Sequence, residues 1–129
     1  MDKFRKISPM EIEYNLMNLK QLIFEVTDAC NLRCKYCGYA DLYEGYDQRE
    51  NLKFPFQKAK LIIDYLYEYW KKQYCADVNN PISISFYGGE PLLNVPFIKQ
   101  VIDYLESLNP IGKKFHYNMT TNAMLLDKY

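Results

Sequence analysis

Three short stretches of period two are separated by two longer stretches of helical period. Leu22-Ile23-Phe24-Glu25-Val26-Thr27, Ile82-Ser83-Ile84-Ser85-Phe86-Tyr87 and Phe115 to Thr121 read as strands from their alternation and β-branched or aromatic content. A helix is predicted from about Phe56 to Tyr74, entered at Pro55, with Ala59, Ile62, Ile63, Leu66, Tyr69 and Trp70 on one stripe. A second is predicted from about Val95 to Leu108, with Ile98, Val101, Ile102, Leu105 and Leu108 on its stripe, Asn94 as N-cap and Asn109-Pro110 as stop. Asn79-Asn80-Pro81 is turn chemistry, and Asp41 to Lys53, polar with Gly45, reads as a loop. Ser8 to Asn18 is ambiguous between a short helix and an edge element.

The order β–loop–α–β–loop–α–β argues for parallel strands joined by right-handed helical crossovers. A closed barrel of this kind takes roughly 200 residues or more, so the 129-residue chain is expected to be truncated. The fold class is α/β: the first three β/α units of a partial, open parallel β/α barrel. Leu22, Phe24 and Val26 share a strand face, as do Ile82, Ile84 and Phe86, and Phe115, Tyr117 and Met119. The opposite faces are mixed or polar, whereas parallel strands packed on both sides read as continuous apolar runs. The apolar faces are therefore expected to meet the helices, and the polar faces to line a hydrated or ligand-filled lumen.

Hydrophobic residues make up 49% of the chain, enough for a core, which argues against a disordered chain. Sixteen basic and sixteen acidic side chains cancel, so the basic footprint of a nucleic-acid binder is missing. Met1 to Lys6 is followed by no apolar stretch, so no signal peptide is expected, and runs such as Leu22-Ile23-Phe24 are too short to span a bilayer. The chain reads as cytoplasmic. In that reducing compartment, clustered cysteines suggest metal or redox chemistry rather than disulfides.

The cluster is Cys30-Asn31-Leu32-Arg33-Cys34-Lys35-Tyr36-Cys37, a CxxxCxxC directly after the first strand. Three thiolates can hold three irons of a cubane and leave the fourth iron open to a small molecule. Two other readings stay open. Positions 30, 34 and 37 also follow a helical stripe that would bury three core cysteines. A structural zinc site would need a fourth ligand from Cys75 or His116. Gly88-Gly89-Glu90-Pro91 follows the second strand and Thr121-Asn122-Ala123 the third, so all three segments sit at the C-terminal ends of parallel strands, where such sheets bind ligands. Taken alone, the glycines could form an ordinary turn and Glu90 could favour the start of the next helix.

CxxxCxxC with an aromatic residue before its last cysteine, here Tyr36, resembles the signature of the radical SAM superfamily. The GGE at Gly88-Gly89-Glu90 matches that family's segment after the next strand. Phe86-Tyr87-Gly88-Gly89-Glu90-Pro91-Leu92-Leu93 and Thr121-Asn122 are similar to segments of peptide maturases and anaerobic sulfatase-maturating enzymes of the SPASM-like type. Ala123 departs from their Thr-Asn-Gly. The resemblance runs from about Asn18 to the end. It makes residues 1–18 an N-terminal extension and 19–129 an incomplete N-terminal portion of the radical SAM core.

The resemblance implies a [4Fe–4S] cluster on Cys30, Cys34 and Cys37, with its unique iron chelating S-adenosylmethionine. It implies contacts to that cofactor from Gly88 and Gly89, supported by Glu90, with Tyr36 near the adenine and Asn122 bonding the cofactor or orienting its loop. It also implies an oxidoreductase-type chemistry. A reduced cluster passes one electron to the sulfonium, and the resulting 5′-deoxyadenosyl radical abstracts hydrogen from a peptide or protein substrate. A reductant such as flavodoxin or ferredoxin would supply the electron. No membrane or nucleic-acid partner is implied, and no catalytic residue that finishes the reaction is identified. His116 is expected either to face substrate from the lumen or to be a satisfied polar core residue, and Cys75 to be a free thiol. Two rivals remain: a non-catalytic module binding zinc or an electron-transfer cluster, and a fragment inactive on its own.

Overall fold

A computed structural model describes residues 6–38, 49–72, 81–108 and 113–129. The helix end at Tyr74, Cys75, the Asn79-Asn80 turn, the Asn109-Pro110 stop, the first five residues and most of the Asp41–Lys53 loop, Gly45 included, lie outside these. The described elements are α1 (Pro9–Met17), β1 (Gln21–Glu25), α2 (Phe56–Trp70), β2 (Ile82–Tyr87), α3 (Val95–Ser107) and β3 (Phe115–Met119). Short 3-10 turns follow at Pro91–Asn94 and Leu126–Lys128.

The strands form one parallel sheet in the order β1-β2-β3. Leu22 pairs with Ile84 and Phe24 with Phe86, while Ile82 pairs with Phe115 and Ile84 with Tyr117. This register puts the apolar residues of all three strands on one face, as their alternation requires. That face carries the core. Phe24, Val26, Ile82, Ile84 and Phe86 pack with Ala59, Ile63, Leu66 and Trp70 of α2 and with Phe97, Ile98, Val101 and Leu105 of α3. Met119 is the exception at the strand end and is exposed. The other face presents Ile23, Glu25, His116 and Asn118 outward. Its Gln21 amide donates to Ser85 Oγ at 3.0 Å, and Asn118 donates to Ser83 Oγ at 2.7 Å. A helix-covered apolar face and an open polar face match the sequence pattern.

Several boundaries moved for physical reasons. The strand expected over Leu22–Thr27 has its regular part at Gln21–Glu25. Beyond it the Val26 N–H still donates to Tyr87 O at 2.8 Å, while Thr27 bridges Lys53 in antiparallel fashion. The α2 stripe is narrower than its apolar residues suggest, since Ile62 is exposed and the buried set is Ala59, Ile63, Leu66 and Trp70. Asn94 occupies the cap position of α3 but makes no capping bond. Its side-chain amide instead donates to Val26 O at 2.8 Å and ties that turn to the end of β1.

The ambiguous N-terminal stretch is a helix. Ser8 Oγ accepts from Glu11 N at 3.2 Å, and Ser8 N donates to Glu11 Oε2 at 2.9 Å, a reciprocal capping box with Pro9 in the first turn. Met17 is buried, α1 packs against α2, and the buried Lys113 ammonium donates to Met17 O at 3.3 Å. A cation at a helix C-terminus is favourable there. No helix among the described residues is long and apolar enough to cross a membrane.

Candidate cofactor site

The chain leaves each strand toward the same edge of the sheet, and the three exits are bonded to one another. After β1, Gly89 N donates to Thr27 O at 2.8 Å and Glu90 N to Ala29 O at 2.7 Å, which extends the β1–β2 pairing to the root of the cysteine loop. Residues 50–54 line the other side of that root. Phe54 N donates to Val26 O at 3.0 Å, Thr27 Oγ1 to Leu52 O at 2.6 Å, and Glu50 N to Asp28 Oδ2 at 2.7 Å.

Gly88 and Gly89 make this close pairing possible. Gly88 has φ +142, and a Cβ there would lie 2.3 Å from Thr27 O; one on Gly89 would lie 2.1 Å from Ala29 O. Neither distance is compatible with a side chain. The resemblance implies that the glycine backbone closely approaches a cofactor. The approach their missing side chains permit here is to the backbone of Thr27–Ala29.

Glu90 is fully buried. Its Oε1 accepts from Leu92 N at 2.9 Å and from Thr121 Oγ1 at 2.7 Å, and its Oε2 accepts from Asn122 N at 2.8 Å. One carboxylate thus caps the turn after β2 and holds the segment after β3. Burying such a group requires this kind of satisfaction. Asn122 carries the link onward, donating from Nδ2 to Asn31 Oδ1 at 2.9 Å and to Cys30 Sγ at 3.8 Å. Its Oδ1 accepts from Met124 N at 3.1 Å. Ala123, where the resemblance expects glycine, sits at φ 64 in the left-handed region.

Cys30, Cys34 and Cys37 are partly buried free thiols on one loop, not a stripe of core residues on a helix. Cys30 Sγ also accepts from Leu32 N at 3.4 Å, and Cys37 N donates to Cys34 O at 3.1 Å. Arg49, which no motif singles out, donates from Nη2 to Cys37 Sγ at 3.1 Å. Among the described residues no three His, Cys, Asp or Glu side chains converge closely enough to hold one metal ion. Cys75, one of the two residues that could complete a zinc site, lies outside those residues. A cubane asks for something different, because each thiolate takes its own iron. The donor chemistry fits such a cluster: three free sulfurs on one loop, two of them receiving N–H donors.

Tyr36 is 87% exposed. Hydrogen bonding to Cys34 and the nearby sulfurs hold its phenol above the ordinary range. His116 stands exposed on the open sheet face opposite Ser83. Thr121 and Asn31 are structural partners whose roles the motifs do not announce. Their signal was their place beside motif residues, but their bonds span 31 and 91 positions of sequence.

Residues 24–129 match the family described as the Radical SAM superfamily. The chain is 37% identical over 110 residues to an uncharacterized protein of Methanocaldococcus jannaschii, covering 85% of this chain and 32% of that one. It is 27% identical over 114 residues to a cysteine-type anaerobic sulfatase-maturating enzyme of Clostridium novyi, covering 88% and 28%. It is 31% identical over 111 residues to a GTP 3′,8-cyclase of Clostridium acetobutylicum, covering 84% and 29%. The chain therefore spans about a third or less of the length of these curated relatives.

Proposed function

Because this chain belongs to the radical SAM superfamily, we propose that it is the cofactor-binding part of an enzyme that abstracts hydrogen from a peptide or protein substrate. Cys30, Cys34 and Cys37 hold a [4Fe–4S] cluster, and the edge formed by Gly88, Gly89, Glu90 and Asn122 receives S-adenosylmethionine, with Tyr36 against its adenine. When bound and reduced, the cluster supplies the electron for reductive cleavage of S-adenosylmethionine. The chain's own part is to fix geometry. The Thr27–Ala29 backbone zipped to Gly89 and Glu90 fixes where the cysteine loop starts. Glu90 acts as a strut beneath the site, since its oxygens are taken by Leu92, Thr121 and Asn122. Asn122 spans from that strut to the Cys30 sulfur.

The observation that carries this reading is the bonding of all three strand exits at one edge, with the three thiols on the first of them. A peptide substrate is supported by the segment Phe86–Leu93, which resembles maturases, and by the similarity to the sulfatase-maturating enzyme. Similarity to a GTP 3′,8-cyclase over much the same share of the chain favours a nucleotide substrate as the second reading. A cytoplasmic setting and a flavodoxin- or ferredoxin-type reductant belong to the proposal. The 129-residue chain alone is expected to lack turnover on a peptide, and repeated turnovers by it would refute that.

Anaerobic reconstitution tests the cofactor assignment. The expected result is close to four irons and four sulfides per chain, with a spectrum that changes when S-adenosylmethionine is added. Replacing Cys30, Cys34 or Cys37 by Ala should abolish both. Stoichiometric zinc, or a cluster indifferent to S-adenosylmethionine, would instead support a non-catalytic module.

A further inference from the structure

The Arg49 guanidinium lies against the last of the three cysteines although twelve positions separate them in sequence. Arg49 is only partly accessible, and its Nη2 is 3.1 Å from Cys37 Sγ. The segment that carries it is anchored on its C-terminal side. Immediately after it, Glu50 N is bonded to Asp28 Oδ2, and Leu52 O accepts from Thr27 Oγ1 and Asp28 N. Arg49 is therefore delivered by a segment fastened to the root of the cysteine loop. Arginine remains charged at any working pH. Hydrogen bonds to cluster sulfurs and the net charge around them set an iron–sulfur reduction potential.

We propose that Arg49 is a positioning residue that sets the reduction potential of the cluster through its charged hydrogen bond to the Cys37 sulfur. This rests on the cofactor assignment above. One-electron reduction adds negative charge to the cluster and its thiolates. A fixed cation and an N–H donor on one sulfur favour that reduced form, so Arg49 raises the potential. Among the described residues the donors to the Cys30 sulfur are neutral, Leu32 N and the Asn122 amide. The second guanidinium of the loop, Arg33, donates to the Cys30 carbonyl at 3.1 Å rather than to a sulfur.

The test compares the full-length protein with its R49K and R49M variants, each reconstituted and titrated anaerobically with dithionite under electron paramagnetic resonance. R49M should shift the midpoint to more negative potential by the equivalent of at least tenfold in the reduction equilibrium, about 59 mV for one electron. R49K, which keeps the charge but loses the planar fork, should fall between R49M and the unchanged protein. Equal midpoints in all three would overturn the proposal. So would loss of the cluster from R49M while R49K loads normally at an unchanged midpoint, or loss from both variants. Either result would assign Arg49 to holding the loop alone. If the unchanged protein fails to take up a cluster, the cofactor assignment itself falls.

Discussion

Glu90 and Ala123 show how single residues shape the candidate site. The Glu90 carboxylate takes three donors with no solvent contact. Glu90→Gln keeps the shape but turns an NH2 group toward at least one of those donors. Leaving buried donors without acceptors costs about 1–3 kcal/mol, so the urea midpoint should fall by that equivalent. Ala123 has the opposite problem. An L-residue in the left-handed region costs about 1–2 kcal/mol, which glycine's greater unfolded-state freedom offsets only in part. Ala123→Gly should therefore stabilise the fold by about 0.5–1 kcal/mol in the same denaturation assay. The missing glycine of Thr121-Asn122-Ala123 was visible in sequence. Its consequence was not, because the positive φ is visible only in the backbone.

At the scale of elements, legibility followed the strength of the local period. β2 was bounded correctly at both ends, since Ile82–Tyr87 alternates without interruption between clear breakers. The α2 and α3 helices were placed by their apolar stripes. α1 was not, because Met17 is the one residue it buries while Met10, Ile12 and Tyr14 are exposed, so no stripe announces it. Its signal was at the end: Ser8 with Glu11 three residues later is a capping box. Ser8→Ala should cost about 1 kcal/mol, seen as faster amide exchange across Pro9–Met17 with the exchange of β2 unchanged. Arg49 and the second role of Asn94 lay beyond any such pattern. Both act through tertiary contacts, and neither belongs to a repeat, a cap bond or a motif.

For the molecule as a whole, the parallel order and the split between a covered apolar face and an open polar one were legible because side-chain direction in a strand has period two. The site was legible in its cysteines and in the position of its motifs, but not in its wiring. Trp70, the single tryptophan, lies buried with its ring 5.8 Å from Phe115, joining α2 to β3. Its emission therefore reports the whole core. Ile84 is fully buried in the central strand, and Ile84→Ala should lower stability by about 2–5 kcal/mol. The Trp70 red shift should then occur at lower denaturant, in step with the loss of far-ultraviolet ellipticity. Separate transitions would mean that sheet and helices do not melt together.

The stitching of Gly88 and Gly89 against Thr27–Ala29 leaves the upstream end of the cysteine loop no slack. Its upstream end is clasped so tightly that not even a methyl group fits between the passing chains. The stretch leading from β1 to the first cysteine is therefore bound to a fixed count of residues, and an insertion or deletion there would pull the first sulfur away from Asn122.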